Sequence, residues 1–243
     1  MSSRTDARAR PRTHENRAGV LRRDGLLREE AFMAGKWRSA ASGATVAVTD
    51  PATGAAIGSV PDMGVAETRA AIAAADTAFP AWRALLPQER ARHLCAWFNL
   101  IVASRHDLAA LMTLEQGKPL AESLGEIDYA ASFVEWFAEE AKRLDGAVIA
   151  SHLPNRLMTV RREPVGVVAC VTPWNFPAAM LTRKAAAALG VGCTVVARPA
   201  SETPFTALAL AELADRAGLP AGVFNVVTGA PKPIVGELCA NPV

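Results

Sequence analysis

Four cysteines and four histidines are the first places to seek a nucleophile or a metal ligand in this chain. Cys95, Cys170, Cys193 and Cys239 make no C-x-x-C pair and lie near no histidine cluster, so neither a disulfide framework nor a metal site is expected. His14, His93, His106 and His152 are scattered, as surface or satisfied core residues would be. Cys170 lies in an apolar run, Cys193 in a tight turn and Cys239 near a helix end, and small buried thiols of this kind are inert packing. Gly190-Val191-Gly192 has the look of a broken G-x-G-x-x-G fingerprint, but it follows a helix and precedes a strand, the reverse of the required order. It reads as a helix-ending turn. Chemistry is left to three polar loops: Thr172-Pro173-Trp174-Asn175-Phe176-Pro177, Arg198-Pro199-Ala200-Ser201-Glu202-Thr203 and Thr228-Gly229-Ala230-Pro231.

Those loops matter because of the elements before them. Val165 to Val171 is a nearly continuous apolar run, which belongs in the middle of a parallel sheet with both faces covered. A helix over Ala178 to Leu189, a strand over Thr194 to Ala197, a helix over Pro204 to Ala217 and a strand over Val223 to Val227 follow. Thr203 and Pro204 cap and start the second helix, and Gly218 ends it. Strand-helix-strand-helix-strand is a βαβαβ unit, half of a dinucleotide-binding fold, and its ligands bind beyond the carboxyl ends of the strands. The three loops leave those ends. Before this core (151–243) comes a helical layer (61–150), in which Leu94, Trp97, Phe98 and Ile101 mark one face, Gly117 a stop, and Leu120, Leu124, Ile127, Ala131 and Val134 another face. The stripe Phe133, Trp136 and Phe137 reads as packing. Residues 25–60 read as short antiparallel strands, including Val46-Ala47-Val48 and Ile57 to Val60, and Met158-Thr159-Val160 as a further strand.

Composition excludes several classes. Hydrophobic residues at 51% and charged residues at 21% describe a globular chain able to bury a core, and a net charge of +2 gives no field for nucleic acid. No apolar run reaches the roughly 18 residues of a membrane span and no secretory segment opens the chain, so the cytoplasm is expected. Residues 1–24, with Arg4, Arg8, Arg10, Arg12, Arg17, Arg22 and Arg23, read as a disordered tail, since so few apolar groups cannot offset ordering entropy.

The three loops, together with Gly222-Val223-Phe224-Asn225-Val226-Val227-Thr228-Gly229 and, upstream, Met112-Thr113-Leu114-Glu115-Gln116-Gly117-Lys118-Pro119-Leu120, resemble the aldehyde dehydrogenase superfamily. Gly125-Glu126-Ile127-Asp128-Tyr129-Ala130-Ala131-Ser132-Phe133 is most similar to its succinate-semialdehyde dehydrogenases. The likeness runs from about Glu30 to Val243. It implies an α/β fold, a Rossmann-like parallel sheet of the family's cofactor domain, that holds a dinucleotide without a glycine-rich turn. It also implies oxidation of an aldehyde, with succinate semialdehyde as substrate, by NADP or NAD through attack of a cysteine thiolate. Asn175 then stabilises the oxyanion; a turn residue satisfying local backbone groups is the alternative. Thr172, Pro173 and Trp174 wall the cofactor cleft, with Pro199 and Ala200 beside them, and Gly229 allows close approach near the adenosine. Arg198 stands where the family has lysine, and Ser201 where NAD-preferring members have glutamate; a guanidinium and a small neutral residue favour a 2′-phosphate and hence NADP. A surface charge is the other reading of Arg198. Arg183 is the expected partner of the substrate's far carboxylate, against a solvated helix arginine.

The resemblance also implies a glutamate base, the nucleophilic cysteine and a catalytic domain that these residues do not supply. Two readings stay open: part of a homo-oligomeric dehydrogenase whose other half comes from elsewhere, the rest of a longer polypeptide or another chain, or a catalytically silent module that binds cofactor or a partner. An isolated chain of this kind is expected to expose a sheet edge and apolar surface and to aggregate.

Overall fold

The computed structural model describes residues 25–243, so the arginine-rich tail lies outside the described residues. The chain opens with two hairpins. In one, β1 (Ala31–Met33) pairs with β2 (Lys36–Arg38); in the other, β3 (Thr45–Thr49) pairs with β4 (Ala56–Pro61). Four helices follow: α1 (Val65–Ala84), α2 (Pro87–Ala103), α3 (Arg105–Gln116) and α4 (Leu120–Glu140). Proline at the first position starts α2, where its missing N–H costs nothing. Gly117, at φ 86°, ends α3 in the left-handed region, and a Cβ there would sit 2.7 Å from Pro51 Cγ. Leu94, Trp97 and Ile101 on α2 and Ile127, Ala131 and Val134 on α4 are buried, as their spacing predicts.

The second half alternates β7 (Val167–Val171), α5 (Ala179–Val191), β8 (Thr194–Arg198), α6 (Pro204–Arg216), β9 (Phe224–Val226) and α7 (Pro231–Ala240). β7, β8 and β9 are parallel neighbours, and the full sheet runs β2-β1-β9-β8-β7. The first hairpin is thus part of the main sheet, with β1 antiparallel to β9. Asn225 fixes that junction: its side chain accepts from the Ala34 N–H at 2.9 Å and donates to the carbonyls of Val195 and Gly222.

Three expectations need correction. β7 is an edge strand rather than a central one: it pairs with β8 alone among the described residues, and Val171 is 41% exposed. A continuous apolar run reports the cover a strand is suited to, and says nothing of how many neighbours it pairs with. Met158–Val160 forms β6, but it pairs with β5 (Ala147–Ile149) in a separate exposed ribbon outside the nucleotide-binding sheet. Trp136 is 62% exposed, so the aromatic stripe packs only through the half-buried Phe133 and Phe137.

The α6 cap also differs. The Thr203 side chain makes no capping bond, and among the described residues its buried hydroxyl has no partner. Glu115, at the end of α3, does the work: its two carboxylate oxygens accept the N–H groups of Phe205 and Thr206, each at 2.7 Å. Two buried indoles join the layers similarly, with Trp82 Nε1 donating to the Leu189 carbonyl and Trp97 Nε1 to that of Leu210. Burial pushes the Glu115 carboxyl up to about 7, against the pull of its bonds to Thr206 and Phe205. A carboxyl that holds its proton more tightly folded than unfolded favours the fold at low pH, and that contribution is lost as pH rises from about 4.5 through about 7. The urea midpoint should therefore fall between those values, and the fall should be shallower in Glu115→Gln. Parallel pH profiles for the two proteins would contradict it.

Candidate active site

The sheet register sets the site. Val171 pairs with Arg198 across β7 and β8, and the Thr172 N–H continues the ladder to the Arg198 carbonyl at 3.1 Å. Ala197 pairs with Val226 across β8 and β9, and the Val227 N–H reaches the Ala197 carbonyl at 2.9 Å. All three loops therefore leave the sheet side by side at one end.

Arg198 ties two of them together. Its Nη2 donates to Ser201 Oγ at 2.6 Å and to the Gly229 carbonyl at 2.8 Å. The residue is 6% exposed, which removes the surface-charge reading. Among the described residues no carboxylate lies within ion-pair distance of this guanidinium, and its buried Nε has no hydrogen-bond partner. Burial lowers its pKa while Glu202 raises it. Its two partners, Ser201 and Gly229, line a cavity of about 240 Å³ together with Val46, Val60, Pro199 and Ala200. Asp62 lines the same cavity, with its Oδ1 accepting the Ala230 N–H at 3.0 Å. The close approach that Gly229 permits is to the chain itself. At φ 131° its Cβ would fall 2.5 Å from the Met63 carbonyl oxygen, and Met63 N–H in turn bonds the Thr228 carbonyl at 3.1 Å.

The Asn175 loop is anchored from the helical layer. Lys118 Nζ donates to the Asn175 main-chain carbonyl at 2.9 Å, pairs with the Glu126 carboxylate, and lies 4.5 Å above the Phe176 ring. The other Glu126 oxygen accepts the N–H groups of Ala178 and Ala179, at 3.0 and 3.3 Å, where α5 begins. Thr172 is buried, whereas Pro173, Trp174, Asn175 and Phe176 are exposed. The Asn175 side-chain amide has no hydrogen-bond partner among the described residues, so it is not spent on satisfying its own turn. Arg183 is exposed on α5, beside the buried Thr182, whose hydroxyl bonds back to the Ala178 carbonyl at 3.2 Å.

Pro199, Ala200, Ser201 and Gly229 thus share one cavity, Arg198 is joined to it through its bonds to Ser201 and Gly229, and Thr172 adjoins Arg198 through the backbone. Pro173, Trp174 and Asn175 stand at the same end of the sheet, outside that cavity wall, and Arg183 stands further along α5. Sequence reasoning passed over Lys118, Glu126, Glu115 and Asp62. A signal existed for Glu126, which falls in line with the buried face of α4, where a carboxylate needs a partner. The missing glycine fingerprint also has a physical reason. The helices after all three parallel strands already have a carboxylate at their N-termini: Glu126 on α5, Glu115 on α6 and Asp62 on α7. At α5 and α6 the carboxylate takes two of the N–H groups that a phosphate would need, and at α7 it takes the one of the N-cap residue Ala230.

Comparison with known proteins gives the family. The chain is 59% identical over 218 residues to a glutarate-semialdehyde dehydrogenase of Pseudomonas aeruginosa, covering 90% of this chain and 45% of the relative. It is 60% identical over 217 residues to an NADP(+) succinate-semialdehyde dehydrogenase of Escherichia coli, covering 89% and 45%. Among solved structures, an Escherichia coli NADP-dependent enzyme superposes with a TM-score of 0.90 at 59% identity, over 90% of this chain and 46% of that one. A Staphylococcus aureus betaine aldehyde dehydrogenase in complex with NAD+ gives 0.90 at 30% identity, over 94% and 45%. The chain spans a little under half the length of these relatives. The profile of the aldehyde dehydrogenase family matches residues 37–243, and the chain belongs to that family.

Proposed function

We propose that this chain supplies the cofactor cleft and the carbonyl-polarising amide for NAD(P)-dependent oxidation of a semialdehyde, succinate semialdehyde to succinate. The observation that carries this reading is the Asn175 loop: its main chain is pinned by Lys118 while its side-chain amide stays exposed and unpartnered. Such an amide donates without titrating. Addition of a nucleophile to the aldehyde carbon places negative charge on the carbonyl oxygen, and a positioned donor lowers that barrier by about 3 kcal/mol. Two of the relatives named above are glutarate- and succinate-semialdehyde dehydrogenases, whose substrates carry a far carboxylate, and the exposed guanidinium of Arg183 is suited to such a group.

The residues fit a dinucleotide. A buried cation with no carboxylate within ion-pair distance and an orphaned Nε is costly unless an anion approaches, and the adjoining cavity gives an adenosine a place beside it. Arg198 and Ser201 would hold a 2′-phosphate, with Pro199, Ala200 and Gly229 as the cavity wall and Thr172, Pro173 and Trp174 toward the reacting end. Asp62 opposes a phosphate and suits a ribose hydroxyl, so NAD is the competing ligand. When bound, the nicotinamide supplies the hydride acceptor. The free thiols of Cys95, Cys170, Cys193 and Cys239 suit a reducing, cytoplasmic setting.

A second reading, a cofactor-binding module without turnover, is favoured by the thiols. Cys170 and Cys193 are buried, and burial pushes Cys170 up to about 11; Cys95 is half-buried on α2, and Cys239, exposed rather than buried as its sequence suggested, stands at the end of α7 away from the loop of residues 228–231. The nucleophile would then have to come from outside the described residues, either as the rest of a longer polypeptide or from a partner chain. Turnover of succinate semialdehyde with NADP+, followed by NADPH absorbance, tests the first reading; NADPH binding by fluorescence with no turnover supports the second. Under the first, Asn175→Ala should lower kcat by about 10² to 10³-fold with NADPH affinity unchanged. Ser201→Glu should weaken NADPH by at least about tenfold while sparing NADH, because a carboxylate would face the 2′-phosphate. Equal loss for both nucleotides would refute the phosphate assignment.

A further inference from the structure

We propose that Lys118 and Glu126 are positioning residues for the Asn175 loop, forming a clamp that sets where the amide points. The inference deepens the reading of Asn175 as the carbonyl donor and rests on it. The Lys118 side chain is 9% exposed and that of Glu126 1%. Removing two charges from water costs more than their attraction returns unless further bonds are made, so an apolar pair of similar volume would pack here at lower cost. An apolar pair could not do what these two do. Lys118 grips the carbonyl of Asn175, and Glu126 grips the N–H groups of Ala178 and Ala179 three and four residues on. The short segment between is held at both ends by one ion pair. Its exposed aromatic Phe176 lies under the Lys118 ammonium, a third point of contact.

The anchor itself is rigid. Lys118 emerges between α3 and α4, directly after Gly117 in its left-handed turn, and its own N–H is held by Gln116 Oε1 at 2.9 Å. Glu126 stands on the buried face of α4, the helix that packs on α5. The clamp therefore ties the loop to the helical layer rather than to the sheet from which the loop emerges. The far end of α5 is fixed as well, by Arg90 Nε on the Gly190 carbonyl at 3.1 Å.

The sequence holds six asparagines, and selective ¹⁵N labelling of their side-chain amides makes the loop visible in solution, with Asn175→Ala assigning the signal. In the unmodified chain the Asn175 amide pair should be a single sharp signal, and the main-chain amides of Ala178 and Ala179 should exchange slowly. Lys118→Gln and Glu126→Gln should shift or broaden that signal and speed exchange at Ala178 and Ala179 by at least about tenfold, with exchange in β8 and α6 unchanged. Lys118→Arg, which keeps the cation, should restore the signal, and Glu126→Asp should do so in part. An unchanged Asn175 signal in folded Lys118→Gln and Glu126→Gln variants overturns the clamp. So does exchange that rises equally across the sheet, or a Lys118→Arg variant no better than Lys118→Gln. None of these readouts needs cofactor or turnover, so the clamp can fail while the dehydrogenase reading stands. If the signals behave as expected but Asn175→Ala retains full kcat, the donor role is what falls, and with it the purpose assigned to the clamp.

Discussion

Carboxylates from the first half of the chain sit on the N-termini of the helices in the second half, and the arrangement of the site depends on this. Glu126 meets α5, Glu115 meets α6 and Asp62 meets the first turn of α7. Each satisfies N–H groups that a helix leaves unpaired and places negative charge at the positive end of its dipole. Since each helix follows directly on a strand-end loop, fixing the helix start fixes the loop. The helical layer and the sheet are thereby joined by polar bonds of defined direction as well as by apolar packing, which alone would tolerate sliding.

This has a consequence for ligand binding. A fold that uses glycine-rich turns presents a bare helix N-terminus to phosphate. Here acid groups stand at those ends, and under the proposed function anion recognition would pass to a side chain, Arg198, held by Ser201 and by the Gly229 carbonyl. The cost is a buried guanidinium whose Nε has no partner. The return is a charge beside a small, mostly apolar cavity at the sheet end, where discrimination between phosphate and hydroxyl is set by few atoms.

Much of the fold was legible because the signals were local. Proline at the start of α2, Gly117 at the end of α3, and the apolar periods of α2 and α4 each act within one helical turn or one face. The three loops were legible because a parallel βαβαβ unit exposes its strand tips. What escaped was non-local. Thr203 has the right residue type for a cap, yet the carboxylate of Glu115, 90 residues before the Phe205 N–H that it accepts, takes that place. β7 has the composition of a central strand, and composition carries no information about which edges are paired. Lys118 and Glu126 were visible only inside the motifs that carry the family resemblance, and their role appears when α4 is laid against the start of α5. Gly229 was assigned to ligand approach, whereas its closest constraint is Met63 of the same chain.

The most direct test is a crystal structure of the protein with NADP+. The account predicts the adenosine in the cavity formed by Pro199, Ala200, Ser201 and Gly229, its 2′-phosphate against Arg198, with Glu115 and Glu126 still bonded to α6 and α5. A phosphate bound at the N-terminus of α5 or α6 with its carboxylate displaced, or a nucleotide seated away from this end of the sheet, would contradict it.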